Sequence, residues 1–236
     1  NWLPDTEFRV GGFDRVRGAL GTNQSSKLTL ADIAYNFTPE HNLSAYGYWL
    51  DQASTGNFTG LANNSHRVLG VRAEGGFPLA GGWSWRYLAD LARQDAYAGG
   101  NAAIDAGYRR IGVGVSQPAL EIRADRELRT SPRGNYAFQT PYTDLYAYNG
   151  WTLQFITAPR TGWRAEWGAW SLFGEFHRFQ SDAGSVDLAR ERDLSVRYDF
   201  WPNAFARLQH ARFTPERGLV GGKEVRKTWL TFNFSY

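Results

Sequence analysis

Large apolar residues and small polar residues alternate along much of the chain, and the alternation is clearest near its end. The sequence of 228–236 is TWLTFNFSY, and its apolar members at every second position are Leu230, Phe232, Phe234 and Tyr236. A period of two places successive side chains on opposite faces of a strand. If this row of large apolar side chains were exposed to water, it would promote aggregation. The pattern therefore favours a strand whose apolar face contacts lipid over the alternative, a final strand of a soluble sandwich.

Similar segments recur through the sequence and are separated by alternately short and long connections. The predicted strands are 7–20, 27–37, 42–52, 66–76, 83–94, 103–115, 119–129, 161–169, 171–179, 190–200, 204–213 and 225–236. Bacterial outer-membrane barrels have short periplasmic turns and long extracellular loops. The sequence predicts an all-β fold, a transmembrane antiparallel up-and-down β-barrel of twelve strands. We expect a single domain, 1–236, with both termini periplasmic.

The charged positions of these strands indicate a hydrated interior. In 190–200, Leu194, Val196 and Tyr198 fall on one face, while Asp193 and Arg197 fall on the other. Burying such charges in a dry sandwich core would cost several kcal/mol per ion unless each were paired. A water-filled lumen would keep them hydrated. The faces of 42–52 stay ambiguous, because bulky apolar residues occupy both.

Composition agrees with an outer-membrane barrel. Aromatic residues make up 16% of the chain, yet the mean hydropathy is −0.48, and Cys and Met are both absent. No apolar run approaches the roughly twenty residues that a membrane-spanning helix requires. The sequence begins at Asn1 without a start methionine or leader, so we expect either a removed signal peptide or a fragment. The predicted location is the bacterial outer membrane, with membrane lipid as one partner.

The basic residues are strongly biased towards arginine. Lysine occurs only at 27, 223 and 227, and the other 23 of the 26 basic residues are arginine. Guanidinium groups bind carboxylate, phosphate or sulfate in a bidentate manner. The bias therefore favours anionic solutes, although the same arginines could instead pair with the 23 acidic residues inside the barrel.

Alternation assigns a set of charged side chains to the lumen, where rings of basic residues attract anions and interleaved carboxylates weaken their binding. The predicted pathway arginines are Arg15, Arg17, Arg72, Arg86, Arg110, Arg123, Arg164, Arg197 and Arg207. The predicted pathway carboxylates are Glu74, Asp90, Glu121, Asp125, Glu166 and Asp193. We expect passive passage of anionic small solutes or acidic polysaccharides.

The connection 130–160 is too long for a simple hairpin and is rich in aromatic residues. Connections beyond about fifteen residues are usually functional or disordered. We expect this loop to fold into the pore as a constriction, or alternatively to pin itself to the barrel rim. Its candidate constriction residues are Tyr136, Phe138, Tyr142, Tyr146, Tyr148 and Trp151.

Several short sequences resemble the alginate export porin family. They are FQTP at 138–141, LYAYNGW at 145–151, TAP at 157–159 with Gly162, and LSAYGYWLD at 43–51. The similarity covers roughly 27–236 and corresponds to the C-terminal portion of that family. It implies an outer-membrane barrel with an electropositive channel for an anionic polysaccharide or smaller acidic solutes.

Motifs of enzymes and metal sites are scarce. The four histidines are scattered, and no metalloprotease, nucleophile-elbow or P-loop spacing is present. Glu175 and His177 share an inward face, an arrangement more often structural than catalytic. We expect no catalytic residue, no metal, no cofactor and no nucleic-acid partner. The alternative function is a structural or sheath barrel that anchors or encloses a partner protein.

Overall fold

A computed structural model describes residues 5–14, 26–52, 65–130, 159–181, 186–218 and 222–234. These residues form a single twelve-stranded sheet in which each strand is hydrogen-bonded to the next in chain order. The strands are β1 (Thr6–Asp14), β2 (Ser26–Thr38), β3 (His41–Gln52), β4 (His66–Pro78), β5 (Ser84–Ala96), β6 (Asp105–Gln117), β7 (Leu120–Thr130), β8 (Pro159–Trp167), β9 (Trp170–Gln180), β10 (Asp187–Trp201), β11 (Ala204–Pro215) and β12 (Val225–Phe234).

The predicted all-β, antiparallel, up-and-down fold with twelve strands is confirmed. Wherever both ends are described, the observed strand ends lie within three residues of the predicted ones. The predicted first strand, 7–20, continues past Asp14 into residues outside the described ranges. In the described part of the chain, no helix is long and apolar enough to cross a membrane.

The short connections all lie at one end of their strands. Between β8 and β9 only Gly168 and Ala169 intervene, and Gly168 has a φ of 56°. A tight reversal needs this left-handed conformation, which glycine adopts without steric cost. The connection from β4 to β5 uses Gly81 and Gly82 in the same way, with φ values of 71° and 77°. The long connections lie at the opposite strand ends.

The described residues divide into two compact units. Unit 1 contains the described residues up to Gly75, together with Leu88–Arg110 and residues 129–130. Unit 2 contains Gly76–Tyr87, Ile111–Leu128 and the described residues from 159 onward. The prediction of a single domain stays a prediction.

Most of the buried side chains lie on one face of the sheet, the inner face, and exposed apolar residues lie on the other, the outer face. In β10, Asp193 is 3% exposed, whereas the next residue, Leu194, is 47% exposed. Outer-face residues such as Val10 and Trp167 are more than 80% exposed. A surface of this kind needs an apolar environment, as expected for lipid-facing positions. The assignment of Asp193 to the inner face and of Leu194 to the outer face of β10 is therefore correct.

The inner face is not polar along its whole length. Near the long connections, unit 1 buries a cluster of apolar and aromatic residues on this face: Leu28, Tyr48, Val68, Ala106 and Tyr108. Unit 2 buries a second cluster at the equivalent strand ends: Phe179, Ala189 and Phe213. These clusters correct the expectation of a uniformly hydrated interior. Alternation reveals which face a residue occupies but not its depth along the strand. The unit 1 cluster also shows which face of β3 is the inner one, because Tyr48 belongs to it.

Candidate functional site

The charged side chains of unit 1 surround a cavity of about 470 Å³ on the inner face. Tyr46 donates a hydrogen bond of 2.8 Å to Asp90, 44 residues further along the chain. Arg72 pairs with Glu74 at 2.6 Å, and both side chains are more than 40% exposed. Period-two spacing puts Arg72 and Glu74 on one face of β4. The arrangement offers a hydrated, mixed-charge surface to a solute.

Unit 2 buries its central charges. Nε2 of His177 lies 3.3 Å from a carboxylate oxygen of Glu175 and 3.3 Å from one of Asp193. The His177 side chain is 3% exposed, Glu175 is 7% exposed and Asp193 is fully buried. Arg123 pairs with the other oxygen of Glu175 at 2.9 Å. Pairing between β9 and β10 sets Asp193 opposite Glu175, so the cluster depends on strand register.

Glu175, His177 and Asp193 are also the described residues whose arrangement could hold a metal ion. Their ligand atoms all lie within 4.8 Å of one another. Zinc bonds of about 2.0–2.2 Å in a tetrahedral site separate neighbouring ligand atoms by about 3.3–3.6 Å. The two distances of 3.3 Å from His177 agree with that separation. Sequence spacing alone could not reveal this set, because Asp193 lies on the neighbouring strand.

A third group of inner-face charges lies near the short connections of unit 2. Arg197 pairs with Asp199 and also lies over the ring of Phe205, with 3.9 Å between its guanidinium carbon and the ring centroid. Arg207 lies over the same ring at 5.1 Å. Among the described residues, Arg207 has no carboxylate within ion-pair distance. Pairing of β10 with β11 sets Arg197 opposite Arg207. Their shared aromatic surface holds two cations side by side.

The predicted pathway residues are thus distributed over several groups. Unit 1 brings together Arg72, Glu74 and Asp90 around its cavity. In unit 2, Glu121 lies opposite Arg164 in the register of β7 and β8, and Arg164 pairs with Glu166. The remaining described members are Arg86, which is exposed in β5, Arg110, which is half-buried in β6, and Asp125, which is buried in β7.

Some predicted residues lie outside the described residues. They are Arg15 and Arg17 of the first predicted strand and all six candidate constriction residues: Tyr136, Phe138, Tyr142, Tyr146, Tyr148 and Trp151. Their assigned roles stay predictions.

Sequence reasoning left open whether the inner-face arginines pair with acidic residues of the interior, and it did not identify the partners. Of the described inner-face arginines, at least five have a carboxylate partner within 4.0 Å, and in four cases one partner lies two residues away on the same strand: Glu7–Arg9, Arg72–Glu74, Arg164–Glu166 and Arg197–Asp199. The fifth pair, Arg123–Glu175, joins different strands. A search for acidic and basic residues two positions apart in strands would have found the four local pairs.

Comparison with solved structures identifies proteins of the same fold. The chain is similar to the outer membrane protein OprD from Pseudomonas aeruginosa, with a TM-score of 0.69 and 12% sequence identity over 99% of this chain and 66% of OprD. It is similar to OccAB2 of Acinetobacter baumannii, with a TM-score of 0.72 and 12% identity over 98% of this chain and 64% of that protein. The structure of Pseudomonas aeruginosa OpdK with vanillate matches with a TM-score of 0.68 and 13% identity, over 99% of this chain and 66% of OpdK.

The chain therefore spans about two thirds of the length of these structures. No protein-family model matches it, and no curated protein matches its sequence. The chain has the fold of bacterial outer-membrane porins, and the predicted outer-membrane location agrees with all three structures.

The resemblance to alginate export porins is wrong, because the structural similarity is to the OprD and Occ porins. That resemblance rested on short sequences rich in aromatic residues, glycine and proline, and most of them lie in 131–158, outside the described residues. Alternating strands are common to all outer-membrane barrels and do not distinguish one family from another.

Proposed function

We propose that this chain forms the wall of an outer-membrane channel that passes small anionic solutes along its inner face. The proposal rests on the porin fold and on the inner-face arginines. Acidic saccharides belong to the same class of cargo. The published structure of OpdK with vanillate, a small aromatic carboxylate, supports solutes of this kind for the fold.

The observation that carries the proposal is the Arg197–Phe205–Arg207 group. The guanidinium of Arg207 lies over Phe205 and has no carboxylate within ion-pair distance among the described residues. A guanidinium placed beside an aromatic ring can offer its N–H groups to a passing carboxylate in bidentate geometry. The paired Arg197 adds a second guanidinium on the same ring. A solute carboxylate would thus meet two cations with one protein counter-charge, Asp199.

The carboxylates of the inner face would limit how tightly a solute binds. Exposed ion pairs such as Arg72–Glu74 contribute only about 0–1 kcal/mol, so a solute can exchange with them readily. A channel needs this balance between entry and release. We assign Glu74, Asp90, Glu121 and Glu166 this role.

Single-channel recording in planar bilayers tests the proposal. In a KCl gradient at low salt, where screening is weak, the wild-type channel should prefer chloride. Arg207→Ala should shift the reversal potential towards cation preference, because it removes the unpaired guanidinium. Arg207→Lys should keep most of the preference, since it keeps the charge.

Arg86→Ala is the matched control for the loss of one inner-face charge away from Phe205. Cation preference in the wild type would refute the proposal. Equal shifts for Arg207→Ala and Arg86→Ala would refute the special role of the aromatic group.

A structural barrel that encloses or anchors a partner protein is the second candidate. The two buried apolar clusters of the inner face favour it, because they replace part of a hydrated interior with packed side chains. A correctly inserted protein that conducts no ions would support this role over the channel. We propose no enzymatic activity for either case.

A further inference from the structure

We propose that the outer face of unit 2 binds a phosphorylated lipid of the outer leaflet, with its phosphate on an arginine patch and one acyl chain in an adjacent groove. The outer arginine patch is formed by Arg178, Arg190, Arg192, Arg212 and Arg226. All five side chains are exposed. They lie on β9, β10, β11 and β12, close to the long connections.

Strand register makes these arginines neighbours. Arg178 lies opposite Arg190, Arg192 lies opposite Arg212, and Arg212 lies opposite Arg226. Neighbouring strands are about 4.8 Å apart. Three guanidinium groups therefore line up across β10, β11 and β12 within reach of one phosphate group.

The patch carries more positive than negative charge. Among the described residues, its carboxylate neighbours are three: Asp187 pairs with Arg178 at 2.7 Å, Glu216 pairs with Arg190 at 3.1 Å, and Glu224 pairs with both Arg212 and Arg226. Hydrogen bonds from Arg226 and Arg212 lower the pKa of Glu224, so this carboxylate stays ionised. Within the described part of the chain, five arginines against three carboxylates leave an excess of two positive charges.

Arg192 differs from the other members, because no carboxylate lies within ion-pair distance of it among the described residues. It is exposed two positions before Leu194, which is 47% exposed on the same outer face. An arginine facing lipid near the bilayer midplane costs about 2–4 kcal/mol, but near the interface the cost falls to about 0–1 kcal/mol. Such a side chain is therefore stable at the level of the headgroups, where an anionic group can satisfy it.

A groove for an acyl chain adjoins Arg192 and Arg212. Its volume is about 920 Å³, and the outer-face residues Ile122, Trp163 and Leu194 line it together with these two arginines. Trp163 lies directly on Gly174: an added Cβ at that glycine would be 2.6 Å from the indole ring. The missing side chain thus lets the ring lie against the sheet.

The opposite strand ends of unit 2 have a different outer face. Phe77, Trp85 and Tyr87 stack there with centroid distances of about 6 Å, and Trp170 packs on Tyr198 at 4.6 Å. Aromatic girdles occupy the interfaces of outer-membrane barrels. Outer-face arginine is thus concentrated at the end with long, extracellular connections, where a phosphorylated lipid of the outer leaflet would place its headgroup.

Native mass spectrometry of the protein in phosphatidylcholine nanodiscs tests the proposal. The probes are a bisphosphorylated, multiply acylated glucosamine disaccharide, the same lipid after removal of its phosphates, and inorganic phosphate. The wild type should retain the phosphorylated lipid and should bind its dephosphorylated form at least about tenfold more weakly, since each tenfold corresponds to the loss of about one charge-assisted hydrogen bond.

Arg192→Ala combined with Arg212→Ala should reduce binding of the phosphorylated lipid about tenfold. The matched control is Arg67→Ala with Arg93→Ala, which removes two outer-face arginines of unit 1 and should leave binding unchanged. Equal reductions in both double variants would overturn the proposal.

Two further outcomes overturn it without any variant, so a folding defect in the double variant does not obscure the result. Equal retention of both lipids by the wild type would show that phosphate is not recognised. The second outcome is that millimolar inorganic phosphate displaces the bound lipid as effectively as added phosphorylated lipid does. This would show that the groove does not contribute to binding.

Discussion

Two groups of inner-face charges, one in each unit, differ in exposure. In unit 1, Arg72 and Glu74 are more than 40% exposed beside their cavity. In unit 2, His177 and Asp193 are at most 3% exposed, and Nε2 of His177 lies close to the carboxylates of Glu175 and Asp193. A charge that remains in water can exchange its partner for a solute, whereas a buried charge depends on its partner for solvation. We infer that the exposed Arg72–Glu74 pair can serve transport, whereas the buried cluster of Glu175, His177 and Asp193 stabilises the wall.

The largest effect is expected from His177→Ala. It would leave the buried carboxylates of Glu175 and Asp193 without the imidazole between them, and breaking a buried ion pair costs about 3–5 kcal/mol. The free energy of unfolding, measured by urea titration in lipid vesicles, should fall by about that amount. His210→Ala is the control, because His210 is exposed on the outer face and should change stability little. Equal effects of the two substitutions would contradict the comparison.

The next effect is expected from Gly70→Ala in unit 1. An added Cβ would be 2.3 Å from the ring of Tyr46, so the ring must move and its hydrogen bond to Asp90 should weaken. Overpacking of this kind costs about 1–3 kcal/mol. Gly12→Ala is the matched control, since a Cβ there would meet nothing within 4 Å. Urea titration of both variants measures the difference, and a neutral Gly70→Ala would show that Tyr46 is not held in place.

Tyr46→Phe isolates the hydrogen bond itself. It keeps the ring and removes the donor to Asp90, for an expected loss of about 0.5–1.5 kcal/mol. Asp90 should then be freer to interact with solutes, so the residence time of a test anion in single-channel recordings should shorten. If Tyr46→Phe lost more stability than Gly70→Ala, the predicted order of the two effects would be wrong.

The smallest effect on stability is expected from Arg72→Gln combined with Glu74→Gln. Both side chains are partly exposed, so the pair contributes about 0–1 kcal/mol. Conductance should nevertheless change, because the cavity loses two charges. A loss of stability as large as that from His177→Ala would remove the distinction between the two groups.

Alternation predicted the faces well where each face has one chemical character. In β10, Leu194 and Asp193 could be assigned from sequence because apolar and polar residues alternate from Asp193 to Phe200. In β3 this failed, since Tyr46 and Tyr48 are bulky and apolar enough for either face. The buried positions of Tyr48 and Val68 depend on contacts with neighbouring strands. Likewise, the pairing of His177 with Asp193 depends on register, which no pattern within a single strand contains.

The local acid–base pairs also bear on how such a chain assembles. Arg164 and Glu166, or Arg197 and Asp199, are only two residues apart, so each pair can form as soon as its segment becomes extended. By contrast, Arg123 can pair with Glu175, which is 52 residues away, only after their two strands have come together. Contacts between distant residues form late because they require closure of a long loop. A newly extended strand therefore already carries part of its charge neutralised, which lowers the cost of moving it into the bilayer before its neighbours are in place.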